Sequence, residues 1–146
     1  MAMKLKEGKG FTLVELLIVV AIIGILMLVV LPLLYDGVQR GKQKRTMHDM
    51  RTIATGLEAY VVDYNIYPAN ILTIEPIYVS MTPRKDGWGR EWVYDTFTGS
   101  QSYSLTSGGR DGGGHATALG VTNDFDDSIT MVNGRFYSYP AGQQHQ

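Results

Sequence analysis

Cysteine is absent from all 146 residues. That excludes disulfides, thiolate metal sites and thiol nucleophiles, so a small domain outside the cytoplasm must be held together by other means. Histidine is scarce. His48, His115 and His145 lie far apart with no H-E-x-x-H pair, and no serine sits in a G-x-S-x-G elbow, so hydrolase readings have no support. The glycines from Gly108 to Gly114 are not followed by Lys-Ser/Thr, which removes a phosphate-binding loop. There is also no basic excess of the kind that draws nucleic acid, and none is expected as a partner. The net charge of −1 hides a split: without Lys4, Lys6, Glu7 and Lys9 at the start, the chain from Phe11 onward carries −3.

What is present begins with a long apolar run. From Phe11 to Tyr35 the only charge is Glu15, and as a helix rising 1.5 Å per residue the segment spans roughly 37 Å, enough to cross a bilayer. A secretory signal has a shorter apolar region followed by its cleavage site. Here the run is longer and the Lys-rich head ends in Gly10 ahead of it, so cutting off the head leaves the anchor in place. Lys4, Lys6 and Lys9 on one flank and Arg40, Lys42, Lys44 and Arg45 on the other do not orient the span by charge.

Beyond it, Met47, Met50, Ile53, Ala54, Leu57, Tyr60, Val61 and Tyr64 recur at three- and four-residue steps, the helical period. The pattern predicts one helix of about 50 residues, apolar all round in its first half and one-faced in its second, stopping at Tyr67-Pro68. Alternating aromatic and β-branched residues predict a hairpin of Glu91 to Asp95 with Ser102 to Thr106. A second pair, Ser128 to Val132 and Arg135 to Tyr139, turns at Asn133-Gly134, the dipeptide favoured in type I′ turns. The predicted fold class is α+β, a long N-terminal helix packed on a small antiparallel sheet. Its segments are a cleaved leader (1–10), a membrane and assembly helix (11–35), an amphipathic continuation (36–66), a globular domain (67–140) and a flexible tail (141–146).

Gly10-Phe11-Thr12-Leu13-Val14-Glu15-Leu16-Leu17 after a short basic head resembles the cleavage site of type IV prepilins and type II secretion pseudopilins. The resemblance implies cleavage between Gly10 and Phe11 by a prepilin peptidase, with methylation of the new amine on Phe11. A carboxylate inside an apolar helix costs about 2.5–3.5 kcal/mol on insertion scales, so Glu15 needs a partner or a function. Cleavage creates a cationic amine four residues away, and in a helical stack the amine of an incoming chain neutralises Glu15 of its neighbour. The plainer reading is a Glu15 that snorkels to the interface. Gly24 and Pro32 match positions between which filament subunits of this family lose helix on assembly; ordinary membrane helices also tolerate both residues.

The rest of the chain narrows the resemblance. Ala59 to Pro68 (AYVVDYNIYP) is similar to the helix end of the major pseudopilin. Asp86 to Tyr94 (DGWGREWVY) is similar to its D-P-W-G-x-x-Y-x-Y segment, with Gly87 for Pro and Trp92 for Tyr. Ser107 to Gly112 (SGGRDG) resembles its S-x-G-x-D-G calcium loop, and Asp126-Asp127-Ser128-Ile129 departs from it by an extra serine. Ca²⁺ takes six to eight oxygen ligands. Asp111 on one arm and Asp124, Asp126 and Asp127 on the other, with carbonyls of Gly108 and Val121, are the ligands this implies. A solvated acidic turn is the alternative.

The resemblance implies a helical homopolymer in the bacterial inner membrane with its C-terminal domain in the periplasm. Its implied partners are minor pseudopilins, the prepilin peptidase, an inner-membrane assembly platform with a cytoplasmic ATPase, and lipid, and the filament drives protein export. Two other readings stand beside it: a type IV pilin for adhesion, motility or DNA uptake at the cell surface, and a membrane-tethered calcium-binding module that never polymerises.

Overall fold

A computed structural model describes residues 10–113, 120–122 and 124–141. The leader before Gly10, the stretch 114–119, Asn123 and the tail from 142 lie outside the described residues. Contacts divide the chain into two units, one ending at Gly37 and one starting at Val38. A single helix, α1 (Leu13–Tyr64), contributes to both and runs unbroken through Gly24 and Pro32. In the first unit its side chains are exposed on every face, as a segment designed for lipid requires.

In the second unit α1 buries one stripe: Gln39, Gln43, Thr46, Met47, Met50, Ile53, Ala54, Gly56 and Leu57. The stripe begins two turns earlier than the apolar pattern shows, because its first members are polar. Each of two finds a partner. Gln39 Oε1 accepts from Trp88 Nε1 at 2.8 Å, and Thr46 Oγ1 accepts from Gly87 N at 2.9 Å while donating to Lys42 O. Tyr64, expected on the buried face, is 56% exposed. The helix ends beside it, where Asn65 adopts φ 59° and donates its N–H back to Val61 O, a left-handed cap.

Among the described residues the strands are β1 (Val93–Phe97), β2 (Ser102–Ser107), β3 (Gly120–Thr122), β4 (Ile129–Val132) and β5 (Arg135–Pro140), in the spatial order β1-β2-β4-β5-β3. The first hairpin sits two residues later on its first strand than the alternation suggests, since the 93–97 arm pairs with 102–106. The second forms as predicted, with φ of 45° and 75° at Asn133 and Gly134. One expectation is corrected. The sheet is mixed rather than wholly antiparallel, because β3 runs parallel to β5. Three residues with a glycine among them carry too little alternation to be read as a strand.

Period-two alternation points Tyr103 and Leu105 of β2, Ile129 and Met131 of β4 and Phe136 of β5 to one face, where they meet Met47, Met50, Ile53, Ala54 and Leu57 of α1. Tyr67 and Ile74, the latter in a 3₁₀ turn (Ile71–Ile74), close the end of this core. Gly56 has a packing role: a Cβ there would stand 2.5 Å from Val79 Cγ2 and 2.8 Å from Ile74 Cδ1.

Tyrosine hydroxyls tie the loops to the core. Tyr67 donates to Glu58, Tyr78 to Asp63 Oδ2 at 2.6 Å, and Tyr94 to Pro68 O at 2.6 Å; Tyr103 accepts from Gly134 N. Burial, with the nearby Glu58 charge, pushes Tyr67 up to about 12; burial also takes Tyr94 to about 12 and Tyr103 higher still. The hydrogen bond to Asp63 takes Tyr78 to about 12.

Two predictions follow from these contacts. A Cβ at Gly87 would lie 2.2 Å from Lys42 O and 2.8 Å from Thr46 Oγ1. Gly87→Ala is therefore expected to cost about 1–3 kcal/mol, read from denaturant melts of the detergent-solubilised chain. Because the folded tyrosines hold their protons more tightly than the ordinary value of 10.0, their contribution is complete below pH 10 and is lost as pH rises toward 12. Tm against pH should fall across that window, in step with phenolate absorbance.

Candidate functional site

Three regions carry the candidate chemistry. The first is the start of α1. Thr12 is its N-cap: Thr12 Oγ1 accepts from Glu15 N at 3.2 Å. The Glu15 carboxylate reaches back to Thr12 N and Thr12 Oγ1, both at 2.8 Å. This is a capping box, in which the residue three positions into the helix satisfies the N–H of the cap. Glu15 thus has a partner within its own chain, and a carboxylate in the first turn also faces the positive end of the helix dipole. The T-x-x-E spacing that signals it is visible in the sequence. Gly10 and Phe11 precede the helix and are exposed. Among the described residues beyond its chain neighbour, no atom lies within 4 Å of where a Cβ at Gly10 would stand, so their packing makes no demand for glycine there.

The second region joins the 86–90 turn to the loop after β2 and to the turn before β4. Asp86 is its hub. It is buried, and its carboxylate accepts from Trp88 N and Arg90 N at 2.9 Å each and from Ser107 Oγ at 2.6 Å. From the same turn Arg90 donates through Nε and Nη2 to Arg110 O at 3.1 and 2.8 Å. Arg110 in turn donates Nε to Asp126 Oδ1 at 2.7 Å and Nη2 to Asp126 Oδ2.

The carboxylates expected to hold an ion are placed as follows. Asp111 Oδ1 accepts from Gly113 N at 2.7 Å. Asp124 Oδ1 accepts from Asp126 N and Asp127 N, and Asp127 Oδ2 accepts from Asp124 N. Val121 is the middle residue of β3, opposite Tyr139, and Gly108 packs against the Gly112 backbone. Among the described residues no three acidic or histidine side chains converge as metal ligands. In this arrangement Asp126 is held by a guanidinium, and Asp124 bonds the backbone of its own turn. Arg110 does not stand among the residues the sequence singles out, although a cation beside four aspartates is a charge-balance signal.

The third region is the basic stretch after the apolar run. Arg40 and Lys44 are exposed, and Arg45 makes a loose i, i+4 pair with Asp49 at 3.6 Å. His48 is exposed. Trp88 and Trp92 pack on the core with their ring N–H groups bonded to Gln39 and Pro83 O.

Comparison with known proteins bears on all three regions. Residues 6–31 match the prokaryotic N-terminal methylation motif, and residues 34–124 match type II secretion system protein G. Type II secretion system core protein G of Vibrio cholerae serotype O1 is 28% identical over 137 residues, covering 82% of this chain and 94% of that protein. Its counterpart in Pseudomonas aeruginosa is 30% identical, covering 76% and 92%. Fimbrial protein EcpB of Eikenella corrodens is 37% identical over 70 residues, covering 48% and 41%.

The capping box yields a local prediction. Thr12→Ala should cost the start of α1 about 1 kcal/mol, seen as roughly fivefold faster amide exchange at residues 13–15 in detergent, whereas Thr12→Ser should leave exchange unchanged.

Proposed function

From a chain that belongs to the type II secretion system protein G family, the major pseudopilins, we propose the repeating subunit of a helical periplasmic filament whose growth drives protein export. The protein G likeness extends over three-quarters or more of this chain in two relatives, against under half for the fimbrial protein, which favours secretion over a pilus. The methylation motif and the long apolar helix α1 fit anchoring in the inner membrane. In the proposed topology the unit from Val38 onward stands in the periplasm.

The observation that carries the reading is Glu15, the one charge between Phe11 and Tyr35, four residues from the Gly10-Phe11 junction. In the separate chain its carboxylate is satisfied by Thr12. Cleavage after Gly10 adds a cation at Phe11, and a charged donor makes roughly twice as strong a hydrogen bond as a neutral one. We take the amine of an incoming subunit to capture Glu15 of its neighbour, setting the axial register. The open surroundings of Gly10 suit a residue selected by an external peptidase rather than by packing. Loss of helix between Gly24 and Pro32 belongs to the assembled state in this scheme, since α1 is continuous in the single chain. Minor pseudopilins, the prepilin peptidase and a platform with a cytoplasmic ATPase complete the proposed machinery.

The test is Glu15→Ala expressed beside the secretion genes, with the mass of the processed chain and the yield of sedimentable filaments both measured. Cleavage should proceed as in the parent, while filament yield drops at least about tenfold, the factor that about 1.4 kcal/mol of lost contact carries. Parental filament yield from a processed Glu15→Ala chain would sink the register.

A further inference from the structure

We infer that the Gly- and Asp-rich loop of this protein is closed by an internal cation, the Arg110 guanidinium, and that the globular unit holds its fold without a divalent ion. This inference is independent of the filament reading, because it concerns only the stability of the unit from Val38 onward.

Two arms must be held together, one at residues 107–113 and one at 124–128. Their backbones touch: Arg110 N donates to Phe125 O at 2.8 Å. Gly109, at φ +74°, lies so close that a Cβ would stand 2.5 Å from Asp126 O and 2.8 Å from Asp127 O. Across the same gap the Arg110 side chain grips both oxygens of Asp126. A guanidinium presents its donors in a planar fork that matches a carboxylate two bonds at a time. The main-chain and side-chain bonds of one residue therefore fasten the far arm at adjacent points.

A second guanidinium completes the clamp. Arg90 binds Arg110 O through two nitrogens and lies against Gly112, where a Cβ would be 2.2 Å from Nη1. Its own N–H is held by the buried Asp86, which also takes Ser107 Oγ. The result is a continuous path of charged hydrogen bonds: Asp86 positions Arg90 and the base of the loop, Arg90 holds the Arg110 carbonyl, and Arg110 holds Asp126. A divalent ion closing the same loop through Asp126 would have to displace Arg110 and would leave that guanidinium beside a second positive centre. The pair is partly exposed, with side-chain accessibilities of 37% and 27%, so salt should weaken it in part.

Thermal melting of the full chain in detergent tests the idea, in excess EGTA and in excess calcium, for the parent, Arg110→Ala, Arg110→Lys and the exchanged pair Arg110→Asp with Asp126→Arg. The parent Tm should be the same in both buffers. Arg110→Ala should lower Tm by about 4 °C in EGTA, a shift of the size one lost interaction causes in a domain of this length. Arg110→Lys should recover only part, since lysine lacks the fork. If Arg110→Ala does not fold, recovery of a cooperative melt by the exchanged pair supports the clamp and its failure counts against it. A parent Tm that drops in EGTA, or an Arg110→Ala chain as stable as the parent in EGTA, would overturn the inference.

Discussion

The contact between the stripe of α1 from Met47 to Leu57 and the inner face of β2, β4 and β5 orders everything else in the globular unit. Met50, Ile53 and Leu57 of the helix and Tyr103, Leu105, Ile129 and Met131 of the sheet are wholly buried, and burial of each such side chain contributes about 1.5–3 kcal/mol. Among the described residues the core is one stripe of α1 against one face of the sheet, closed at its end by Tyr67 and Ile74, so it is thin. A thin core depends on how its loops are tied, and in this chain no covalent tie exists.

The ties are polar and directional instead. Asp86 accepts three hydrogen bonds where an unpaired buried carboxylate would be very costly. Four tyrosines place rings in or against the core and direct hydroxyls to loop carbonyls, carboxylates or a turn amide. Gln39 and Thr46 extend the helix contact past the end of the apolar pattern by meeting Trp88 and Gly87. Glycine at 87 fits this arrangement where proline would not: its N–H is used, and its missing Cβ makes room for Lys42 O.

The long helix, both hairpins and the N-terminal methylation motif are legible in the sequence because each has a strong local signal: a 25-residue stretch with one charge, an Asn-Gly turn, alternation over several residues. What is not legible depends on side chains brought together across the chain. The buried glutamines on α1 carry no apolar period, β3 is too short to alternate, and the Arg110–Asp126 pair spans sixteen residues. Glu15 differs. Its capping box is local and its T-x-x-E spacing is plain, whereas the assembly and snorkelling roles expected of it both look outside the chain. The aspartates around the loop match a calcium pattern by resemblance and by charge, and that pattern takes no account of the arginine that stands among them.

The capping box at the start of α1 bears on how a polymer of such chains would come apart. A carboxylate that enters assembly already bonded to Thr12 trades one set of hydrogen bonds for another, and the net free energy of a trade is much smaller than that of a new bond. Subunits joined in this way would leave the polymer by re-forming their own caps, with no bare charge stranded in lipid. Such a filament would be inherently recyclable, its ends able to shed subunits back into the membrane pool once the assembly motor stops.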